Sequence, residues 1–259
     1  MIDSHCHLDS GVFDPDQNEV INRASQAGVT RIVVPSINWQ RILNVLALTK
    51  EYPEIYAGVG IYPKCCDDWH STQIEQLRKL AATPKVVAIG EIGLDYNWRK
   101  KPPKKKQIAA FSDQLMLAGE LDLPVIVHNW QAGEDILGFV ADSPVAGRDN
   151  AGVMHGINAN AEFAYRAIDL GFYVGIGTRI TPPNVKKLSK LVAELPLDRI
   201  LIETDAPHLP PYQHRGSHNE PAYVRYVAEA IAKARGMSLS EIIDVTTENT
   251  LRLFSKIQE

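Results

Sequence analysis

The chain has 259 residues, 45% hydrophobic and 22% charged, with a formal net charge of −4. This balance fits a globular protein with a sizeable core. The acidic total excludes a global attraction to nucleic acid or anionic membrane, so polyanion binding has to come from a local patch. No apolar run approaches the roughly 18 residues of a membrane span, and no signal-peptide pattern precedes the first motif. Three cysteines, Cys6 and the adjacent pair Cys65 and Cys66, do not suggest a disulfide framework. A reducing, cytoplasmic home is the expectation.

The first strand-like run, 1–5, leads into His5-Cys6-His7. Alternation puts the two imidazoles on one side, roughly 7 Å apart at about 3.3 Å per residue, with Cys6 facing away as a small buried filler. Further runs rich in β-branched residues follow at 31–35, 55–60, 86–91, 125–128, 152–155, 172–177 and 199–203. Amphipathic stretches lie between them. Ile74, Leu77, Leu80 and Ala81 are spaced for one helix face, as are Ile108, Phe111, Leu115 and Ala118. Many strand runs are almost continuously apolar, as parallel strands covered by helices require. Residues 219–254 read as two helices, with Gly236 a C-terminal cap and Ser238 and Glu241 at capping-box spacing. Eight β-α units in a chain of this length predict an α/β fold of the (β/α)8 TIM-barrel kind. It is expected to be a single domain over residues 1–259 with extra C-terminal helices.

In such a barrel the functional site lies at the C-terminal ends of the strands. His5 and His7 end the first strand, Glu91 the fourth, His128 the fifth and His155 the sixth, and Asp205 follows the eighth. Four imidazoles and two carboxylates on one rim are costly to bury without a cation, and they suit Zn²⁺, Mn²⁺ or a similar divalent ion. Six ligands exceed what one hydrolytic ion takes from protein, because a position must stay open for water. Two ions sharing a carboxylate use the set economically.

At this point the chain resembles the TatD family of metal-dependent hydrolases, a branch of the amidohydrolase-like barrels. The resemblance rests on Asp3-Ser4-His5-Cys6-His7, Gly90-Glu91-Ile92-Gly93-Leu94-Asp95-Tyr96, Leu123-Pro124-Val125-Ile126-Val127-His128 and Glu203-Thr204-Asp205-Ala206-Pro207. Asn219-Glu220-Pro221 and Asn249-Thr250-Leu251-Arg252-Leu253-Phe254 complete it. These segments stand in family order over essentially the whole chain. The resemblance implies that His5, His7 and Asp205 hold a first divalent ion, that His128 and His155 hold a second, and that Glu91 bridges both. Many related barrels use a carboxylated lysine as the bridge, but here the lysines after the fourth strand begin only at Lys100. Glu203 is read as a hydrogen-bonded structural residue.

Two segments depart from the family pattern. Its Gly-x-His-Pro after the third strand is Gly60-Ile61-Tyr62-Pro63 here, and its His-x-Phe-Ser-Gly after the sixth is His155-Gly156-Ile157-Asn158-Ala159. Tyr62 donates a hydrogen bond but, with an ordinary pKa of about 10, is a poor proton shuttle at neutral pH.

The resemblance implies phosphodiester hydrolysis of DNA, with a hydroxide between two ions as nucleophile and Asp205 and Glu91 as catalytic residues. Another ester or amide, such as a D-aminoacyl-tRNA or a small phosphoester, is the alternative, and a non-catalytic binding module the third reading. Six basic residues between Arg99 and Lys106 follow the fourth strand and form a candidate phosphate track, with Lys104, Lys105 and Lys106 at its end. Tyr62 and Arg215 are further candidate substrate contacts, whereas His208, His214 and His218 after the eighth strand read as surface residues. Neither a membrane nor an obligate protein partner is implied.

Overall fold

The structure, a computed structural model, describes residues 1–97 and 102–257. Eight parallel strands pair in sequence order: β1 (Ile2–Asp3), β2 (Arg31–Pro35), β3 (Ile55–Val59), β4 (Val86–Asp95), β5 (Val125–Trp130), β6 (Gly152–Met154), β7 (Phe172–Ile176) and β8 (Ile200–Ile202). The seam between the first and last strands is bridged by Ser4 N–H to the Ile202 carbonyl at 3.1 Å and Asp205 N–H to the His5 carbonyl at 2.9 Å. Between the strands run α1 (Gln17–Gln26), α2 (Trp39–Glu51), α3 (Ile74–Ala81), α4 (Lys104–Glu120), α5 (Gly133–Ala141), α6 (Ala161–Asp169) and α7 (Lys186–Glu194). Helices α8 (Val224–Arg235) and α9 (Leu239–Leu253) end the chain. This is the (β/α)8 barrel that the strand pattern predicts.

Alternation along the strands separates two apolar layers. Val125 and Val127 face outward into a sleeve shared with helix residues such as Ile42, Leu77 and Phe111, whereas Ile126 faces the barrel interior. Val33, Tyr56, Val153, Tyr173 and Leu201 lie in the same interior layer, which Leu253, Phe254 and Ile257 close from below. The C-terminal cap follows from local chemistry. Gly236 takes the left-handed conformation at φ 67°, where an L side chain is disfavoured, and Ser238 and Glu241 form the reciprocal capping box. Asn249 then donates to the carbonyls of Leu197 and Ile200, both at 2.9 Å, and ties α9 beneath β8.

The bounds of the strands move where function intrudes. Regular β1 stops at Asp3; beyond it Cys6 N–H still reaches the Val33 carbonyl of β2 at 3.1 Å, and His7 N–H reaches the Ala206 carbonyl after β8 at 2.7 Å. Glu91 does not end β4, as the sequence pattern implies, but sits within it. From Ile89 to Ile92 the strand advances three residues while β5 advances two, so the extra residue is bulged and the ladder resumes up to Asp95 opposite Trp130. Gly93 permits this continuation: its φ is +139°, and a Cβ there would lie 2.1 Å from the His128 carbonyl oxygen.

Phe254 is fully buried under the interior layer. Phe254→Ala is expected to destabilise the protein by about 3–5 kcal/mol in urea unfolding. A loss below about 1 kcal/mol would show that the C-terminal segment does not seal the barrel floor.

Candidate metal centre

One step above the interior layer the same strand faces carry polar groups. Two residues beyond Ile126 comes His128, beyond Val153 comes His155, and beyond Leu201 come Glu203 and then Asp205. Parity along each strand therefore carries the apolar floor into a polar mouth. The Glu91 side chain, on a residue 2% exposed, stands at its centre.

Each oxygen of Glu91 faces a different donor pair. Oε2 lies 3.4 Å from His7 Nε2 and 3.7 Å from His5 Nε2, and Asp205 Oδ1 is 3.6 and 3.8 Å from those same nitrogens. Oε1 lies 3.1 Å from His128 Nδ1 and 3.2 Å from His155 Nε2. Donors about 2.0–2.2 Å from a tetrahedral ion stand roughly 3.3–3.6 Å apart, so both sets have the spacing of a coordination shell. His5, His7 and Asp205 form one such group, and Glu91, His128 and His155 another; His5, His155 and Glu203 also approach one another. The first two groups are the ones the family resemblance implies.

Burial and charge keep His5 and Glu91 in ligand form and favour a proton on His7 and His155. Burial, reinforced by the neighbouring His155, holds His5 well below the usual imidazole range and leaves it neutral. Burial alone would raise Glu91, yet the surrounding His155, His128 and His7 hold it well below the carboxylate range. Burial would likewise lower His7 and His155, but Glu91 raises His7, and Glu91 with Glu203 raises His155. Protons and cations thus compete for these two rings, so metal affinity rises with pH.

A second set of groups aims the candidate ligands. His7 Nδ1 lies 3.2 Å from the Pro35 carbonyl, and a proton there leaves Nε2 as the lone pair facing Glu91. His155 Nδ1 lies 3.4 Å from Glu203 Oε1, which also accepts the Gly156 N–H at 2.6 Å. Glu203 is fully buried, as a hydrogen-bonded structural residue should be. It fits only because residue 175 is glycine, where a Cβ would lie 2.2 Å from Glu203 Oε2. His128 Nε2 faces Asp95 Oδ2 at 3.5 Å, and that same oxygen pairs with Lys64 at 2.9 Å.

Asp95 and Lys64 are functional neighbours that sequence reasoning passes over. The signal is present: Asp95 lies four residues after Glu91, an even offset on a strand. Asn219 is another. Its buried amide donates to the carbonyls of Thr204 and His208, both at 2.7 Å, and so clamps the loop that carries Asp205. Asp205 itself has φ 57°, a conformation aspartate tolerates.

A cavity of about 510 Å³ opens over Glu91 and is walled by His7, Arg41, Tyr62, Lys64, Trp130, Arg179 and His208 among others. Tyr62 stands in place, its hydroxyl 3.2 Å from His128 Nε2. Burial, with Glu91 nearby, pushes that phenol well above its usual range, so it stays protonated. Arg215 is not part of the cavity wall, and its guanidinium covers the Tyr212 ring at 4.4 Å. His208, exposed as the sequence implies, nevertheless forms part of the wall. Lys104, Lys105 and Lys106 lie outside the wall on the first turn of α4. Lys104 pairs with Asp135 at 2.7 Å and Lys106 donates to the Trp69 carbonyl at 3.0 Å, while Lys105 is exposed. Arg99, Lys100 and Lys101 fall outside the described residues.

The family model of TatD related DNases matches residues 2–255. The chain belongs to the TatD family. A relative in Bacillus subtilis (strain 168), named uncharacterized metal-dependent hydrolase YabD, is 41% identical over 254 residues, covering 98% of each chain. The 3'-5' ssDNA/RNA exonuclease TatD of Pectobacterium carotovorum (strain PC1) is 33% identical over 260 residues, covering 98% of this chain and 99% of its own. The crystal structure of YjjV, a TatD homologue from Escherichia coli K12, superposes with a TM-score of 0.90 at 34% identity, covering 98% of each chain. The protein is a metal-dependent hydrolase of the TatD family. No helix among the described residues is long and apolar enough to cross a membrane.

Asp3 supplies a pH test. Its fully buried carboxyl accepts from Thr204 Oγ1 at 2.6 Å and from the N–H groups of Thr204 and His5 at 3.0 and 3.3 Å. Burial pushes it from 3.8 up to about 8. The folded state therefore holds this proton more tightly than the unfolded chain. The resulting stabilisation is complete below about pH 4 and lost as the pH rises to about 8. Asp3→Asn keeps an acceptor and adds a donor, so in chelated protein its thermal midpoint should fall less than the wild type's between pH 5 and 8.5. Identical slopes would show that Asp3 is ionised throughout.

Proposed function

We propose that this protein cleaves phosphodiester bonds of single-stranded nucleic acid, DNA in the first instance, using two divalent ions. Glu91 would bridge them, His5, His7 and Asp205 would hold one, and His128 and His155 would hold the other. The observation that carries the reading is the division of labour at Glu91, each oxygen facing its own pair of imidazole nitrogens at 3.1–3.7 Å. The name of the Pectobacterium relative supports the substrate class.

When bound, the ions supply a water of lowered pKa and polarise a phosphoryl oxygen. The chain's own residues do the rest. Asp205, with its side chain 21% exposed toward the cavity, orients the attacking water and accepts its proton. Tyr62, held protonated, donates a hydrogen bond to a non-bridging oxygen. Glu203 and Asp95 hold the rings of His155 and His128 in their coordinating orientation. Lys64 and Arg41 place positive charge on the wall, although Asp95 and Asp9 partly offset it. For a longer strand, Lys104, Lys105 and Lys106 extend the electrostatic track beyond the cavity. A second reading, hydrolysis of a small ester, is favoured by Tyr62 alone, because a phenol that stays protonated cannot shuttle protons to a poor leaving group at neutral pH.

Glu91→Ala should lower the bound metal measured by elemental analysis from two ions toward one or none. It should also abolish cleavage of single-stranded DNA in Mn²⁺ or Mg²⁺. Retained activity would sink the two-metal mechanism. Replacing Lys104, Lys105 and Lys106 with Gln should leave metal content unchanged and flatten the salt dependence of DNA binding. The log–log slope should fall by about 0.7 for each phosphate that is no longer neutralised. An unchanged slope would remove this helix turn from the binding surface.

A further inference from the structure

We infer that Trp130 and Arg179 form a nucleobase-stacking subsite beside the hydrolytic centre, the base lying on the indole and Arg179 pairing with the adjoining phosphate. This rests on the nucleic-acid reading above and names how that substrate is held.

Along β5 the inward parity runs Ile126, His128, Trp130: floor, ligand, mouth. Trp130 therefore stands roughly 6.6–6.8 Å beyond the ligand histidine on a rigid strand. It is 36% exposed, whereas Trp69 is 4% exposed in the core. An indole left at a polar mouth gives up much of its burial energy, and its position is better explained by a ligand than by packing. Asp95 opposite it in the ladder fixes its backbone.

Arg179 is the cation of the cavity wall that carries no acidic partner among the described residues. Arg41 is held by Asp9 and Lys64 by Asp95. Arg179 instead covers the Trp130 ring at 5.5 Å from its centroid. The turn beneath it is anchored, with Ile180 N–H to the Gly177 carbonyl at 3.2 Å and Thr181 Oγ1 to the Thr178 carbonyl at 2.7 Å. The exposed side chain can thus swing off the ring without moving the backbone. A flat π face, a cation with no carboxylate to satisfy it and hydrolytic donors one strand repeat away match the repeating unit of a single strand, a base and a phosphate. Stacking of this kind tolerates any base, because every base presents a π face.

The test uses the full-length, metal-loaded protein and two hexamers with phosphorothioate linkages, oligo-dT and an abasic deoxyribose-phosphate backbone, with affinities read by fluorescence anisotropy. Wild type should bind oligo-dT more tightly than the abasic hexamer. Trp130→Ala should weaken oligo-dT binding by about tenfold while changing abasic binding by less than about twofold, and Trp130→Phe should retain oligo-dT affinity within about threefold. Arg179→Ala should weaken both and lower the salt slope by about 0.7. Equal wild-type affinities, or an equal loss on both backbones in Trp130→Ala, would overturn the stacking subsite while leaving the nuclease reading intact. Binding of neither hexamer by wild type would overturn both.

Discussion

A single carboxylate sets the terms of this structure. Glu91 is almost completely buried, and no buried ionised carboxylate is stable without partners of opposite charge or donated hydrogen bonds. Four imidazoles from three separate strand ends meet it, two on each oxygen. Much of the barrel's irregularity serves that meeting. The bulge in β4 presents Glu91 inward, Gly93 lets the strand continue past it, and Gly175 leaves room for the Glu203 that braces His155. A donor shell of this kind tolerates errors of only a few tenths of an ångström, so its members sit on strands or just past their ends and its supports are buried.

The substrate side is built differently. It stands on loops and on residues beyond the ligand positions, such as Trp130 two residues past His128. Tyr62 touches His128 and lines the cavity, so a change there reaches the cavity without altering the donor set. The chain Lys64–Asp95–His128 couples a cation of the cavity wall to a ring of the donor cluster through one carboxylate. Asn219 fastens the loop of Asp205 by donating to the backbone carbonyls of Thr204 and His208 on either side of it.

The barrel is legible in the sequence because its signals are local. Parity of apolar residues, capping chemistry at Ser238 and Gly236, and polar residues ending apolar runs all depend on near neighbours. Strand bounds are less legible at the mouth. Whether β4 stops at Glu91 or runs to Asp95 depends on the ladder partner in β5, more than thirty residues away. The same non-locality hides Lys64 and His208, which carry no sequence pattern and reach the cavity only because loops after β3 and β8 fold over it. Arg215 and the lysines of α4 show the converse. They stand near the right strand ends in sequence, yet Tyr212 and Asp135 hold Arg215 and Lys104 away from the cavity wall.

By itself, then, the sequence determined the barrel, the family and the identity of six nitrogen- and oxygen-bearing residues at the strand ends, since period-two alternation is a property of the chain. Only the tertiary structure decided which oxygen of Glu91 faces which histidines, which carboxylates brace the rings and which cations line the mouth. Those relations are distances between strands and loops far apart in the chain, and no local pattern encodes them.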